Sequence, residues 1–212
     1  SILTYKNLEA AVSDFYSPRL PIGWISLLSL INGGYHMCPA DLVYITNQSF
    51  YPCHTNGLSS GNTNNESILH GILELVERDA YARILVNGKL DIRGVGRRID
   101  TNTLEDPVLS NLVELIESTG SRLYLILLPS SIPVYSFWGI IIDEYSVVPV
   151  GAFNFGLGCH PNPVVAATRA ITEAAQSRLI FIHGNREDIR HKAVFSDNYV
   201  VKSSIYHFFQ KL

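Results

Sequence analysis

Cysteine is scarce in this chain: Cys38, Cys53 and Cys159 are the only three in 212 residues, and no two of them form a CxxC pair. An odd count without a spaced framework excludes a disulfide-stapled fold and suits a reducing cytosol, so a cytoplasmic setting is expected. The missing CxxC pairs also argue against a structural zinc site. No apolar stretch reaches the roughly 18 residues of a membrane helix, and no membrane partner is expected. Of the nearest candidates, the run from Leu123 to Asp143 is interrupted by Pro129 and Pro133 and reads as two buried strands. Long basic runs are absent and the formal net charge is −3, which argues against nucleic acid as the main partner. Low-complexity segments and a signal peptide are absent too. The chain opens on Ser1 rather than Met, and is expected to be a piece of a longer protein.

Hydrophobic residues make up 47% of the sequence, enough for a real core. Short apolar runs around Asn32-Gly33-Gly34 predict a β-hairpin in "ISLLSLINGGYHMCP". Helical spacing predicts helices over residues 66–86 and 106–120, the second with Gly120 as its C-cap, and a third after the loop "GLGCHPNP". Strands are expected at 122–129, 133–143 and 147–155. Strands and helices interleave, so the expected class is mixed α/β (α+β), with β-sheets packed against helices.

The segment "GLSSGNTNNESILHGILELVERDA", Gly57 to Ala80, carries the first chemical signal. At 100° per residue, Glu66, His70, Glu74 and Glu77 share an arc of about 80°. Ile68, Leu69, Ile72, Leu73, Leu75 and Val76 lie elsewhere and are expected to face the core. Stacked carboxylates repel one another unless a cation relieves them, and Mg2+ suits carboxylate oxygens. A solvated acidic face is the plainer reading of the same helix. The preceding loop offers Ser60, Asn62 and Thr63 ahead of a helix N-terminus, where a phosphate can settle or the residues can simply cap the helix. No GxxxxGK[ST] occurs, so this is not a Walker loop.

The segment "GLGCHPNPVVAATRAITEAAQSR" aligns with the first at an offset of 99 residues, placing Glu173 at the level of Glu74 and Arg169 at that of His70. Its polar stripe holds Arg169, Glu173 and Gln176 among alanines. Two such quasi-repeated loop-helix units facing each other would form one site for a cation and a nucleotide phosphate.

At these residues the chain resembles the YcaO family. "TNGLSSGNTNNESILHGILELVERDA" and "GCHPNPVVAATRAITEAAQSRLIFIHGNREDI" are similar to its central motifs, and "PIGWISLLSLINGGYHMCPADLVY" is similar to the segment before them. The collinear matches run over roughly residues 16 to 190. The resemblance implies an ATP-dependent enzyme that activates peptide backbone amides. The amide oxygen is phosphorylated after nucleophilic attack, giving an azoline from Cys, Ser or Thr, or a thioamide. It implies ATP and Mg2+ as cofactors, with Glu66, Glu74, Glu77 and Glu173 as metal ligands. Ser60, Asn62, Thr63, Arg78, Arg169, Gln176, Arg178 and Arg186 are the candidate nucleotide contacts, with Arg78, Arg178 and Arg186 equally able to pair with an acid. A peptide or protein substrate, a partner protein for its delivery and a homodimer belong to the same expectation. Residues 1–212 are expected to be a single domain, an incomplete YcaO domain lacking its N- and C-terminal parts. Two departures stand out: His70 replaces the serine common in the family, and "NREDI" replaces the usual "SRDD" ending.

Covalent catalysis by Cys159-His160 is disfavoured, since adjacent residues rarely present a catalytic pair and no orienting acid is evident. A carboxylate-bridged transition-metal centre on HxxxExxE is disfavoured because the usual repeated ExxH is missing. The competing reading from another class is a silent YcaO-like domain that binds a leader peptide or partner protein.

Overall fold

The computed structural model describes residues 22–44, 55–86, 89–90, 96–143 and 153–183. The chain divides into two compact units, Ser1–Ser60 and Gly61–Leu212. In the first, β1 (Trp24–Leu28) and β2 (Tyr35–Pro39) form the expected antiparallel hairpin, with Leu28 opposite Tyr35 and Trp24 opposite Pro39. Gly33 turns the chain at φ 68°, a left-handed conformation that glycine adopts without steric cost, and Asn32 Oδ1 accepts from the Gly34 amide at 2.9 Å.

The second unit is a four-stranded antiparallel sheet with helices on both faces. Its strands are β5 (Arg97–Ile99), β6 (Ser121–Leu127), β7 (Tyr135–Asp143) and β8 (Phe153–His160), in spatial order β5-β6-β7-β8. A two-residue-per-strand hairpin, β3 (Leu85–Val86) with β4 (Lys89–Leu90), stands apart from it. Helix α1 (Asn64–Ala82) covers one face, while α2 (Pro107–Glu117) and α3 (Pro163–His183) cover the other. The pleat divides the strands cleanly. Tyr124, Ile126, Trp138 and Ile140 join Ala80 and Ile84 in the core under α1; Leu123, Leu125 and Ile141 join Val113, Ala170 and Ile171 under α2 and α3. Because both faces are covered, β6 and β7 read as continuous apolar runs.

Local chemistry sets the helix ends. Asp106 Oδ1 accepts from the Val108 and Leu109 amides and Pro107 occupies the first turn. Helix α2 ends with Ser118 rather than the expected Gly120 as its C-cap, and Gly120 follows in the turn at φ 78°. Asn162 Oδ1 accepts from the Val164 amide at 2.9 Å and starts α3 at Pro163. Two segments differ from expectation. Residues 85–86, read as the end of the first helix, form β3, because α1 stops at Ala82. Residues 156–160, read as loop, complete β8. Gly156 and Gly158 there serve close packing rather than turning: α3 lies so near that a Cβ on Gly158 would stand 2.6 Å from Ala170 N. Of the strand expected at 147–155, residues 147–152 lie outside the described residues. Among the described residues no helix is long and apolar enough to cross a membrane.

Candidate functional site

On helix α1, Gly71, Leu73, Glu77 and Ala80 are buried, and Leu73, Glu77 and Ala80 form a row close in phase to the half-buried Glu66 and His70. Leu69, Ile72 and Leu75, expected in the core, are 47%, 50% and 52% exposed. The periodicity was legible but its polarity was not: Glu77 is buried with Leu73, and charged groups of α3 act on it, while three apolar residues of α1 stay exposed.

Helices α1 and α3 lie on opposite faces of the sheet and come together at its β8 edge. There Arg169 Nη2 stands 3.2 Å from His70 Nε2. Glu77, only 8% exposed, is influenced by Glu173 and Arg169 from α3 and by Glu74 and Arg78 on its own helix. Arg78 Nη2 lies 3.6 Å from Glu74 Oε1 and 3.9 Å from Glu77 Oε1. Burial, then the negative charge of Glu173, raises the Glu77 carboxyl to about 7 despite both guanidinium groups. Glu173 is raised too, first by desolvation; Arg78 and the donating Leu157 amide oppose that, while Glu74 adds to it. Three carboxylates and two guanidinium groups therefore influence one another here, with Glu77 buried, Glu173 exposed and one more acid than base.

This donor set fits Mg2+ with a phosphate. The oxygens are hard carboxylates, and Mg2+ is typically held by one or two of these together with water and substrate phosphate rather than by an all-protein cage. Among the described residues no group of three or more His, Cys, Asp or Glu is arranged to hold a metal ion. Arg78 Nε is buried with no hydrogen-bond partner among the described residues, a donor left for an anion.

The other expected residues are placed as follows. Glu66 works in the first turn: its Oε2 accepts from the Asn62 amide at 2.7 Å, and Thr63 Oγ1 accepts from the Glu66 amide at 3.2 Å, a reciprocal helix cap. Asn62 and Thr63 are thus both part of that cap. Ser60 is exposed at the end of the first unit. Gln176 is exposed, and its helical phase is that of Arg169 and Glu173. The structure does not bring Arg178 to this corner. It lies half a helical turn away from Arg169 on α3, and its Nη2 donates to Asp143 Oδ2 at 3.2 Å at the end of β7. Arg186 lies outside the described residues. Cys159 is buried and its thiol is raised, by burial first, which is the opposite of an activated nucleophile. The arrangement offers carboxylates and guanidinium groups rather than an activated nucleophile.

Sequence reasoning missed the tie between His70 and Arg169 as a contact, although the offset of 99 residues had put the two at one level. It also missed Leu157, whose contribution is a main-chain amide and leaves no trace in residue type.

The family profile described as "YcaO cyclodehydratase", ATP- and Mg2+-binding, matches residues 3–210. An uncharacterised protein in the tfuA 3' region of Rhizobium leguminosarum bv. trifolii is 39% identical over 196 residues, covering 89% of this chain and 46% of that protein. Among solved structures, YcaO from Methanopyrus kandleri bound with AMPPCP and Mg2+ is 26% identical with a TM-score of 0.66, over 82% of this chain and 45% of that one. A heterocyclase in complex with substrate and cofactor shares the fold at 24% identity and a TM-score of 0.66, over 83% of this chain and 24% of that one. The chain spans about half the length or less of the relatives it matches.

Proposed function

This chain belongs to the YcaO family, and on that premise we propose that it carries the Mg2+-nucleotide centre of an ATP-dependent enzyme that activates peptide backbone amides. The observation that carries the reading is Glu77: a carboxyl buried on the packed face of a helix, raised to about 7, and set among carboxylates and guanidinium groups from two helices. Burying that carboxyl beside Glu74 and Glu173 is costly even with Arg78 and Arg169 near it, and a bound cation would offset the cost.

In this reading Glu74, Glu77 and Glu173 supply oxygen ligands to Mg2+. Arg78 and Arg169 neutralise phosphate, and Gln176 adds an amide from the same stripe of α3. Glu66, Asn62 and Thr63 shape the approach to α1. Bound ATP would supply the phosphoryl group that turns an amide oxygen into a leaving group. The protein residues then contribute position and charge compensation, the terms that dominate phosphoryl transfer, and no nucleophilic side chain is needed. The substrate is a peptide or protein whose Cys, Ser or Thr side chain, or an external sulfur donor, attacks the carbonyl; the product is an azoline or a thioamide. Delivery by a partner protein, a homodimeric state and a cytoplasmic setting belong to the same proposal. So does the reading of these residues as the central part of a longer single domain; the relatives are about twice as long as the part they share with this chain.

Calorimetry of the chain with ATP, with and without Mg2+, beside a Glu74→Ala/Glu77→Ala variant tests the proposal. Expected is binding that requires Mg2+ and weakens at least about tenfold in the variant, the effect of losing a charge-assisted contact. Binding indifferent to Mg2+ or to the variant would remove the nucleotide from this corner. No binding would favour the silent domain.

A further inference from the structure

His70 stands on the same stripe as Glu66, Glu74 and Glu77, yet its contact crosses to another helix. Arg169 Nη2 lies 3.2 Å from its Nε2, and both residues are half-buried. A guanidinium carries five N–H donors, no acceptor, and does not lose its proton. Nε2 of His70 must therefore accept, which puts the ring proton of the neutral imidazole on Nδ1. The root of Arg169 is held as firmly as its tip, because α3 lies against Gly158 so closely that a Cβ there would stand 2.8 Å from Arg169 Cβ. Between these two fixed ends, the charge of Arg169 acts on both Glu77 and Cys159.

We propose that His70 is a positioning residue: a neutral acceptor that holds the Arg169 guanidinium between α1 and α3, with its remaining donors free for the phosphate end of a Mg2+-bound nucleotide. This rests on the nucleotide reading above. An unrestrained arginine loses rotamer freedom when it closes on a phosphate, and one already held loses less. Histidine at this position is suited to the task because its ring is rigid and its second nitrogen reaches farther than a hydroxyl.

The test uses the full chain with His70→Ala, His70→Gln, Arg169→Ala and the His70→Ala/Arg169→Ala double variant, titrated with Mg2+-AMPPCP by calorimetry. His70→Ala is expected to weaken binding about tenfold, as for a lost hydrogen bond to a charged group. Gln keeps an acceptor oxygen near the Nε2 position, so His70→Gln is expected to bind within about twofold of the parent. The double variant is expected to bind no more weakly than Arg169→Ala alone. Unchanged binding in His70→Ala, or a loss that persists in full when Arg169 is already absent, overturns the positioning role. Nitrogen-15 NMR of the histidine ring gives a readout independent of any nucleotide: an unprotonated Nε2 whose shift moves in Arg169→Ala is expected, and a protonated Nε2 overturns the pairing. If the parent chain binds no Mg2+-AMPPCP, the nucleotide reading falls and the phosphate role of Arg169 with it. The NMR signal still decides whether His70 and Arg169 are joined.

Discussion

Glu77 ionises near 4.5 in an unfolded chain and near about 7 in the folded one. Between those values the folded state holds more protons, so its stability is full below about 4.5 and falls as pH rises through 7. The span corresponds to roughly 3 kcal/mol. Glu173 is shifted in the same direction and adds to the slope. Thermal unfolding followed at pH 5 and pH 8 is expected to show a midpoint several degrees lower at the higher pH, with Glu77→Gln flattening much of the difference. An equal slope in that variant would mean that the buried carboxyl is not its source. The same proton matters for ligand binding, since a cation must displace it. Calorimetry near pH 7 in buffers of different ionisation enthalpy is expected to reveal proton release when Mg2+-nucleotide binds.

Among the elements, α1 and α3 are held to the sheet by different means. Helix α3 rests on glycines, and its alanines fill what little space remains. Gly158→Ala would press a methyl group against Ala166 O and Ala170 N, so a loss of about 3 kcal/mol or more is expected in denaturant unfolding. Helix α1 instead presents its acids and Leu73 inward and leaves leucines outside. Leu75→Glu is therefore expected to cost less than about 0.5 kcal/mol, whereas Leu73→Ala is expected to cost about 2–5 kcal/mol. Comparable costs for the two would mean that α1 packs on the face suggested by a simple amphipathic reading.

For the whole molecule, order should follow coverage. Strand β7 is paired on both sides and covered on both faces, so its amides are expected to exchange most slowly with solvent. Among the described residues the β1–β2 pair is a two-stranded hairpin with Leu28, Leu30, Ile31 and Tyr35 exposed, and is expected to exchange orders of magnitude faster. Hydrogen exchange resolved by mass spectrometry checks both, and equal protection would contradict the division into two units.

The sequence by itself determined the local elements and the mixed α/β class. Period and caps are properties of neighbouring residues: Asp106-Pro107 starts α2, Gly120 follows it, and the two-sided apolar runs of β6 and β7 admit little but buried strands. It also determined the family, because three collinear motifs are carried by residue identity. Tertiary structure alone decided which side of α1 is the inside. A helical stripe fixes relative phase, but whether acids or leucines face inward depends on what the opposing element offers, and here α3 offers Arg169 across the β8 edge. For the same reason Gly156 and Gly158 lie in a strand rather than a loop: glycine permits both, and only the nearness of α3 selects between them. Arg178 likewise looks like Arg169 in sequence, yet half a helical turn directs it to Asp143.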